Sequence, residues 1–280
     1  MTTPAGAAGP SARAPGSRDS KSGPTSPSGL APGVLIAERY RIVNRLGAGG
    51  MGEVWRADDL QLSTSVAIKL LPPHYAADPL RLDRLRAEVR LTRQISHPNV
   101  CRVYDIAQAA APDGSPLTFL CMEFIDGEDL ASVLRRLGRP SHEKSVQIAR
   151  QLCFALAAAH EQGVVHRDLK PANVMLDGRG NVRLTDFGIA GLLQDFTDPA
   201  AIRAGTPAYM APEQLFSEPN LDGRVDVWAL GVMLYEALSG VSPFQTGSTY
   251  DTLKRVREGA ARPIREVAPD VPEELAVIVA

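Results

Sequence analysis

Asp168, Lys170, Asn173 and Asp186 fall within one stretch, HRDLKPANVMLDGRGNVRLTDFG, running from His166 to Gly188. Pro171, Gly178 and Gly180 interrupt it, so no long helix spaces the four residues apart. Two readings follow. A solvated polar loop needs no site at all. Alternatively, the two carboxylates and the amide supply hard oxygen donors for a divalent cation, and the ammonium supplies charge for a phosphate beside a nucleophile.

A second group of residues bears on that choice. Gly47, Gly49 and Gly52 in GAGGMGEV let backbone N–H groups approach phosphate oxygens. An ordinary flexible hairpin satisfies the same glycines. A dinucleotide fingerprint requires a helix after the loop, and here the strand-like EVWRADD follows. Lys69 ends the apolar run VAIK, so its ammonium lies at the edge of a buried sheet and needs a partner. Glu88, three residues after Leu85 on an apolar helical stripe, is the candidate. A solvated pair between Glu88 and the surrounding arginines is the competing arrangement.

The elements that must position these residues are legible in outline. Residues 40–46, 53–59 and 65–70 read as three antiparallel strands, and 101–106 and 117–124 as two more. Residues 80–95 place Leu82, Leu85, Val89 and Ile95 at helical spacing, and His97-Pro98 ends that helix. This gives a five-stranded sheet with one main helix. A boundary follows near residues 124–128. Beyond it, a helix over 144–163, a small hairpin around Asp177–Asn181, a long loop over 188–212 and a nearly all-apolar helix over 224–240 are expected. The fold class is α+β, with two unequal lobes.

With 280 residues, 44% of them hydrophobic, the chain can bury a substantial core. A net charge of −2 argues against bulk nucleic-acid binding. No apolar run is long enough to span a membrane. Residues 1–33 are rich in Ala, Pro, Gly and Ser, have no aromatic residue, and read as a disordered tail. Cys101, Cys121 and Cys153 lack metal spacing and read as buried reduced thiols.

In order along the chain stand Gly47/Gly49/Gly52/Val54, Val66-Ala67-Ile68-Lys69, Glu88, His166-Arg167-Asp168, Asn173, Asp186-Phe187-Gly188, Ala211-Pro212-Glu213 and Asp226. This ordered set resembles the eukaryotic-like (Hanks-type) serine/threonine protein kinases, most closely bacterial members, over about residues 38–280. The resemblance implies a bilobal kinase fold, with an N-lobe over 34–124 and a C-lobe over 125–280. It implies ATP and Mg²⁺ as cofactors and Ser/Thr hydroxyls of proteins, including the chain itself, as acceptors. A catalytically silent nucleotide-binding scaffold is the alternative. A cytoplasmic kinase domain is implied, compatible with a membrane anchor beyond residue 280.

Roles follow from the matched motifs. Asp168 is the implied catalytic base, Lys170 neutralises the γ-phosphate, and Asn173 and Asp186 are the metal ligands. Lys69, held by Glu88, fixes the α- and β-phosphates. The ATP-binding set comprises Leu46, Gly47, Ala48, Gly49, Gly50, Met51, Gly52, Val54, Ala67, Lys69, Met122, Glu123, Ile125, Asp129 and Leu176, with Met122 the gatekeeper and Leu176 the floor under the adenine ring. In the activation loop, Thr206 bridges Asp168 and Lys170, and Thr197 is the candidate phosphoacceptor facing Arg167. The resemblance also implies two further helices after residue 280, carrying an arginine that pairs with Glu213.

Overall fold

The computed structural model describes residues 1–2, 28–49, 52–73, 78–187, 207–216, 218 and 220–280. The smaller lobe is a six-stranded antiparallel sheet in the order β1-β2-β3-β4-β6-β5. Its strands are β1 (Leu35–Ile36), β2 (Tyr40–Gly49), β3 (Gly52–Asp59), β4 (Thr64–Leu70), β5 (Val103–Ala110) and β6 (Pro116–Glu123). Helix α1 (Pro79–Thr92) packs on one face. Asp78 starts α1 by accepting hydrogen bonds from the Leu80 and Arg81 amides, at 3.0 and 3.3 Å.

Strand alternation divides the side chains between two cores. Val66, Ile68 and Leu70 join Ile42, Trp55 and Phe119 on one face. Ala67, Leu120 and Met122 join Leu85 and Val89 of α1 on the other. Because both faces are covered, β4 is buried at every position from Val66 to Leu70. Lys69 shares the α1 face with Ala67 and is only 3% exposed.

Three expectations need correction here. The sheet has six strands, not five, because Leu35 and Ile36 pair with Arg41 and Tyr40. The expected tail reaches too far: Leu30 is 2% exposed within the first core, and the Gly33 amide donates to Ile42 O at 2.8 Å. A single buried leucine among Pro, Gly and Ser docks this segment together with that backbone bond, and composition averages hide it. Residues 3–27 lie outside the described residues. Cys101 and Cys121 are buried, but Cys153 is exposed, because it falls on the outer face of its helix.

The chain crosses to the larger lobe between Glu123 and Gly127. There, β7 (Gly127–Asp129) leads into α2 (Leu130–Leu137) and α3 (His142–His160), and β8 (Val174–Asp177) and β9 (Val182–Leu184) complete a three-stranded sheet with β7. Then come α4 (Pro212–Leu215), α5 (Arg224–Ser239), α6 (Thr249–Glu258), α7 (Ile264–Val267) and α8 (Glu273–Ile278). Leu152 and Leu156 of α3, Val174, Leu184, Leu169 and Phe187, and Ala229 and Met233 of α5 share one core, so the segment 166–187 is clamped between two helices. No described helix is long and apolar enough to cross a membrane.

A second junction joins the lobes. Val100, just after α1, pairs in parallel with Leu184 of β9. The Cys101 amide donates to Leu184 O at 2.9 Å, and the Leu184 amide to Asn99 O at 2.8 Å. The Asn99 side-chain amide donates to Val182 O and to Gln151 Oε1, both at 2.8 Å.

Candidate active site

The segment from His166 to Phe187 brings its polar groups together around Asp168. Lys170 Nζ lies 2.8 Å from Asp168 Oδ2 and 3.0 Å from Oδ1. Asn173 Nδ2 donates to Asp168 O at 2.7 Å and to Oδ2 at 3.0 Å. Its amide nitrogen is thus committed, leaving the Asn173 side-chain oxygen as a neutral donor. Asn173 O in turn accepts from the Thr185 amide at 2.9 Å and hydroxyl at 3.0 Å.

The loop backbone is fixed from beneath. Asp226 at the start of α5 is fully buried, and it accepts from the His166 amide at 2.8 Å and the Arg167 amide at 2.9 Å. His160 Nε2 is 2.7 Å from the same carboxylate. His166 donates from Nε2 to Thr185 O at 2.8 Å and accepts the Asp168 amide at Nδ1, which sets its neutral tautomer. Its ring packs 4.8 Å from that of Phe187. Arg167 and Asp186 both hold left-handed backbone conformations, with φ of 66° and 64°. Such conformations persist outside glycine only where surrounding contacts enforce them.

Above this floor lies a cleft of about 460 Å³ between the lobes. Leu46, Gly47, Val54, Ala67, Met122, Glu123, Ile125, Asp129 and Asp186 line it. Ala48, Gly49 and Gly52 belong to the glycine-rich hairpin above, where Gly49 pairs with Gly52. Gly52 has φ of +109°, and a Cβ there would lie 2.1 Å from Leu70 O, so only glycine fits. Glu123 donates its amide to Arg102 O at 2.9 Å, so its carbonyl is what it offers the cleft. Gly50, Met51, Thr197 and Thr206 lie outside the described residues.

Two assignments change. Met175, not Leu176, lines the cleft, while Leu176 packs against the large-lobe core. Side chains alternate along β8, so a slip of one residue exchanges cleft for core. Lys69 does not pair with Glu88. Its ammonium lies 2.8 Å from Asp186 Oδ1, and Glu88 stays half-buried on α1. A buried ammonium takes the carboxylate within contact reach. Burial alone raises the Asp186 carboxyl, but the charge and hydrogen bond of Lys69, together with His166 and Lys170, outweigh it and hold the group below the usual carboxylate range. Asp129 both lines the cleft and caps α2, accepting from the Ser132 amide at 2.8 Å and hydroxyl at 2.7 Å.

Sequence reasoning missed Cys101, a buried residue of the cleft wall whose thiol burial pushes up and keeps protonated. It also missed Thr185 and His160, which hold the loop at a distance in sequence. Thr185 immediately precedes Asp186, and that adjacency was the available signal.

A model of the protein kinase domain matches residues 40–276. This chain belongs to the protein kinase domain family. The kinase domain is 37% identical over 242 residues to serine/threonine-protein kinase PknA of Mycobacterium tuberculosis, covering 86% of this chain and 55% of that protein. It is 38% identical over 248 residues to serine/threonine-protein kinase PknB of Mycolicibacterium smegmatis, covering 87% of this chain and 39% of that protein. The chain thus spans about half the length of the first relative and about two fifths of the second. The two-lobed α+β architecture is that of the family.

Proposed function

We propose that this kinase domain transfers the γ-phosphoryl group of ATP to serine and threonine hydroxyls of proteins, its own chain included. The observation that carries the reading is the Asp168–Lys170–Asn173 cluster, held within 3.0 Å and linked by the Asn173–Thr185 hydrogen bonds to a cleft lined by Thr185 and Asp186. Phosphoryl transfer depends on positioning and charge neutralisation more than on covalent chemistry. Asp168 accepts the proton of the acceptor hydroxyl, and Lys170 sits beside it to offset charge on the phosphoryl oxygens. Lys69 draws the α- and β-phosphates.

Asn173 and Asp186 would hold Mg²⁺. The fit rests on the donor set: a carboxylate with one oxygen engaged by Lys69, and an amide whose nitrogen is already committed. Both offer oxygen, which a hard cation prefers. Bound there, the metal would neutralise phosphate charge. Serine/threonine acceptors are favoured by Lys170, two residues after the base, and by the names of the relatives.

Transfer of radiolabel from γ-labelled ATP into a generic protein substrate tests the reading. Incorporation that is lost in Lys69→Met is the expected result. Nucleotide binding without any transfer would favour the silent scaffold instead, a reading supported by the Lys69–Asp186 pair, which occupies the metal-binding carboxylate.

Control through Thr197 belongs to the same proposal. Arg167 Nε is buried with no hydrogen-bond partner among the described residues. A phosphate on Thr197 would supply an acceptor. Mass-spectrometric mapping that finds Thr197 unmodified in fully active protein would remove this role.

A further inference from the structure

We propose that residues 28–34 form a strap behind the glycine-rich hairpin, and that Ser28, acting through Glu53, is a positioning residue for the nucleotide. The proposal rests on the reading that the cleft takes ATP.

Glu53 stands directly opposite Ala48 in the hairpin, one position from Gly52 and one from Val54. Val54 lines the cleft. Alternation therefore turns Glu53 to the other face of the sheet, where it joins Trp55 and Ala57 in the buried set of β3. Glu53 is 8% exposed, and phosphoryl transfer makes no use of its carboxylate. A carboxylate so placed requires hydrogen-bonding partners. Arg45 Nη1 and Trp55 Nε1 lie at 3.4 Å, the long limit of such contacts. Ser28 Oγ donates to Glu53 Oε2 at 2.6 Å, the length of a strong charge-assisted bond.

Ser28 is itself anchored. Leu30, two residues on, is buried among Ile36, Tyr40, Ile42 and Trp55. The Gly33 amide donates to Ile42 O, and the Ile42 amide to Val34 O, both at 2.8 Å. The strap thus grips β2 at Ile42 and β3 at Glu53, the two strands that carry the hairpin. The hairpin needs such a grip. From Asn44 to Gly49 every residue of β2 is exposed, and the β2–β3 register shifts twice, between Ile42 and Asn44 and between Arg45 and Gly47. No apolar packing of its own holds that half of β2, so polar contacts on the back of β3 decide where the glycines sit over the cleft.

The test uses the full chain. ATP binding is measured by calorimetry, and KM and kcat by phosphoryl transfer, for wild type, Ser28→Ala, Ser28→Thr and Glu53→Gln. Ser28→Ala and Glu53→Gln are expected to raise KM for ATP by about three- to tenfold, the effect of losing one charge-assisted hydrogen bond. The kcat of Ser28→Ala stays within about twofold, because the Asp168 cluster is untouched. Its melting temperature in the absence of nucleotide stays near wild type, and Ser28→Thr, which restores the hydroxyl, restores KM. ATP bound equally well by wild type and Ser28→Ala overturns the strap alone. So does a rise in KM that tracks lost thermal stability and is not rescued by threonine. No ATP binding by wild type overturns the reading of the cleft, and the proposal with it.

Discussion

Asp168 is held by a cation on one side and an amide on the other, so its orientation is set before any acceptor arrives. Asp168→Asn keeps the shape of the side chain and removes its capacity to accept a proton. Turnover is expected to fall by about 10²–10⁴-fold while ATP affinity changes little. Steady-state transfer assays paired with calorimetry check this, and wild-type turnover in the variant would remove Asp168 from the reaction. His160 lends itself to a titration. Its hydrogen bond to Asp226 raises its pKa above the usual 6.5, against burial, which lowers it. A raised value means that the pair stabilises the fold in full below about pH 6.5 and loses that contribution as pH climbs through the folded value. The melting-temperature gap between wild type and His160→Gln should therefore narrow from pH 6 toward alkaline pH, and a gap independent of pH would contradict the assignment.

At the scale of the element, the glycine-rich hairpin depends on one backbone geometry. Gly52→Ala places a Cβ against Leu70 O at a φ that costs about 1–2 kcal/mol for an L-residue. The hairpin must shift, so KM for ATP is expected to rise roughly tenfold, with a fall of a few degrees in melting temperature. Unaltered kinetics in this variant would show that the hairpin does not contact nucleotide. The same hairpin shows what sequence reasoning reaches. The β2–β3–β4 strands were legible because Val, Ile and Trp alternate with polar residues, and α1 because Leu82, Leu85 and Val89 repeat at helical spacing. The strap was not, since Leu30 is one apolar residue in a segment whose composition reads as tail. Met175 and Leu176 are both apolar, so nothing in their types says which faces the cleft; register alone decides. Whether Lys69 meets Glu88 or Asp186 depends on how α1 sits against β9 and its following loop, a tertiary relation that no local pattern encodes.

At the scale of the whole molecule, Asn99 ties the small lobe to the large one. Its side chain joins Val182 O and Gln151 across the junction. Asn99→Ala removes one donor each from Val182 O and Gln151 Oε1, the latter keeping the Val182 amide, at a partly buried position, a loss of about 1–3 kcal/mol. A lowered melting temperature is expected, together with faster hydrogen exchange at the Cys101 amide, which pairs beside it. Protection at Cys101 equal to wild type would place the strength of the junction elsewhere.

The chain passes between the lobes once by covalent connection, at residues 124–126, and again by the hydrogen-bonded contact of Asn99–Cys101 with β9. A body pinned at two separate points keeps one rotational degree of freedom, about the line through them, and loses translation and twist. The Lys69–Asp186 pair is a third tie between the lobes, so it must open before the small lobe can nod over the cleft along that one freedom. Lys69 and the hairpin, both carried by that lobe, must then travel on fixed arcs toward Asp168, and each closure returns them to the same place.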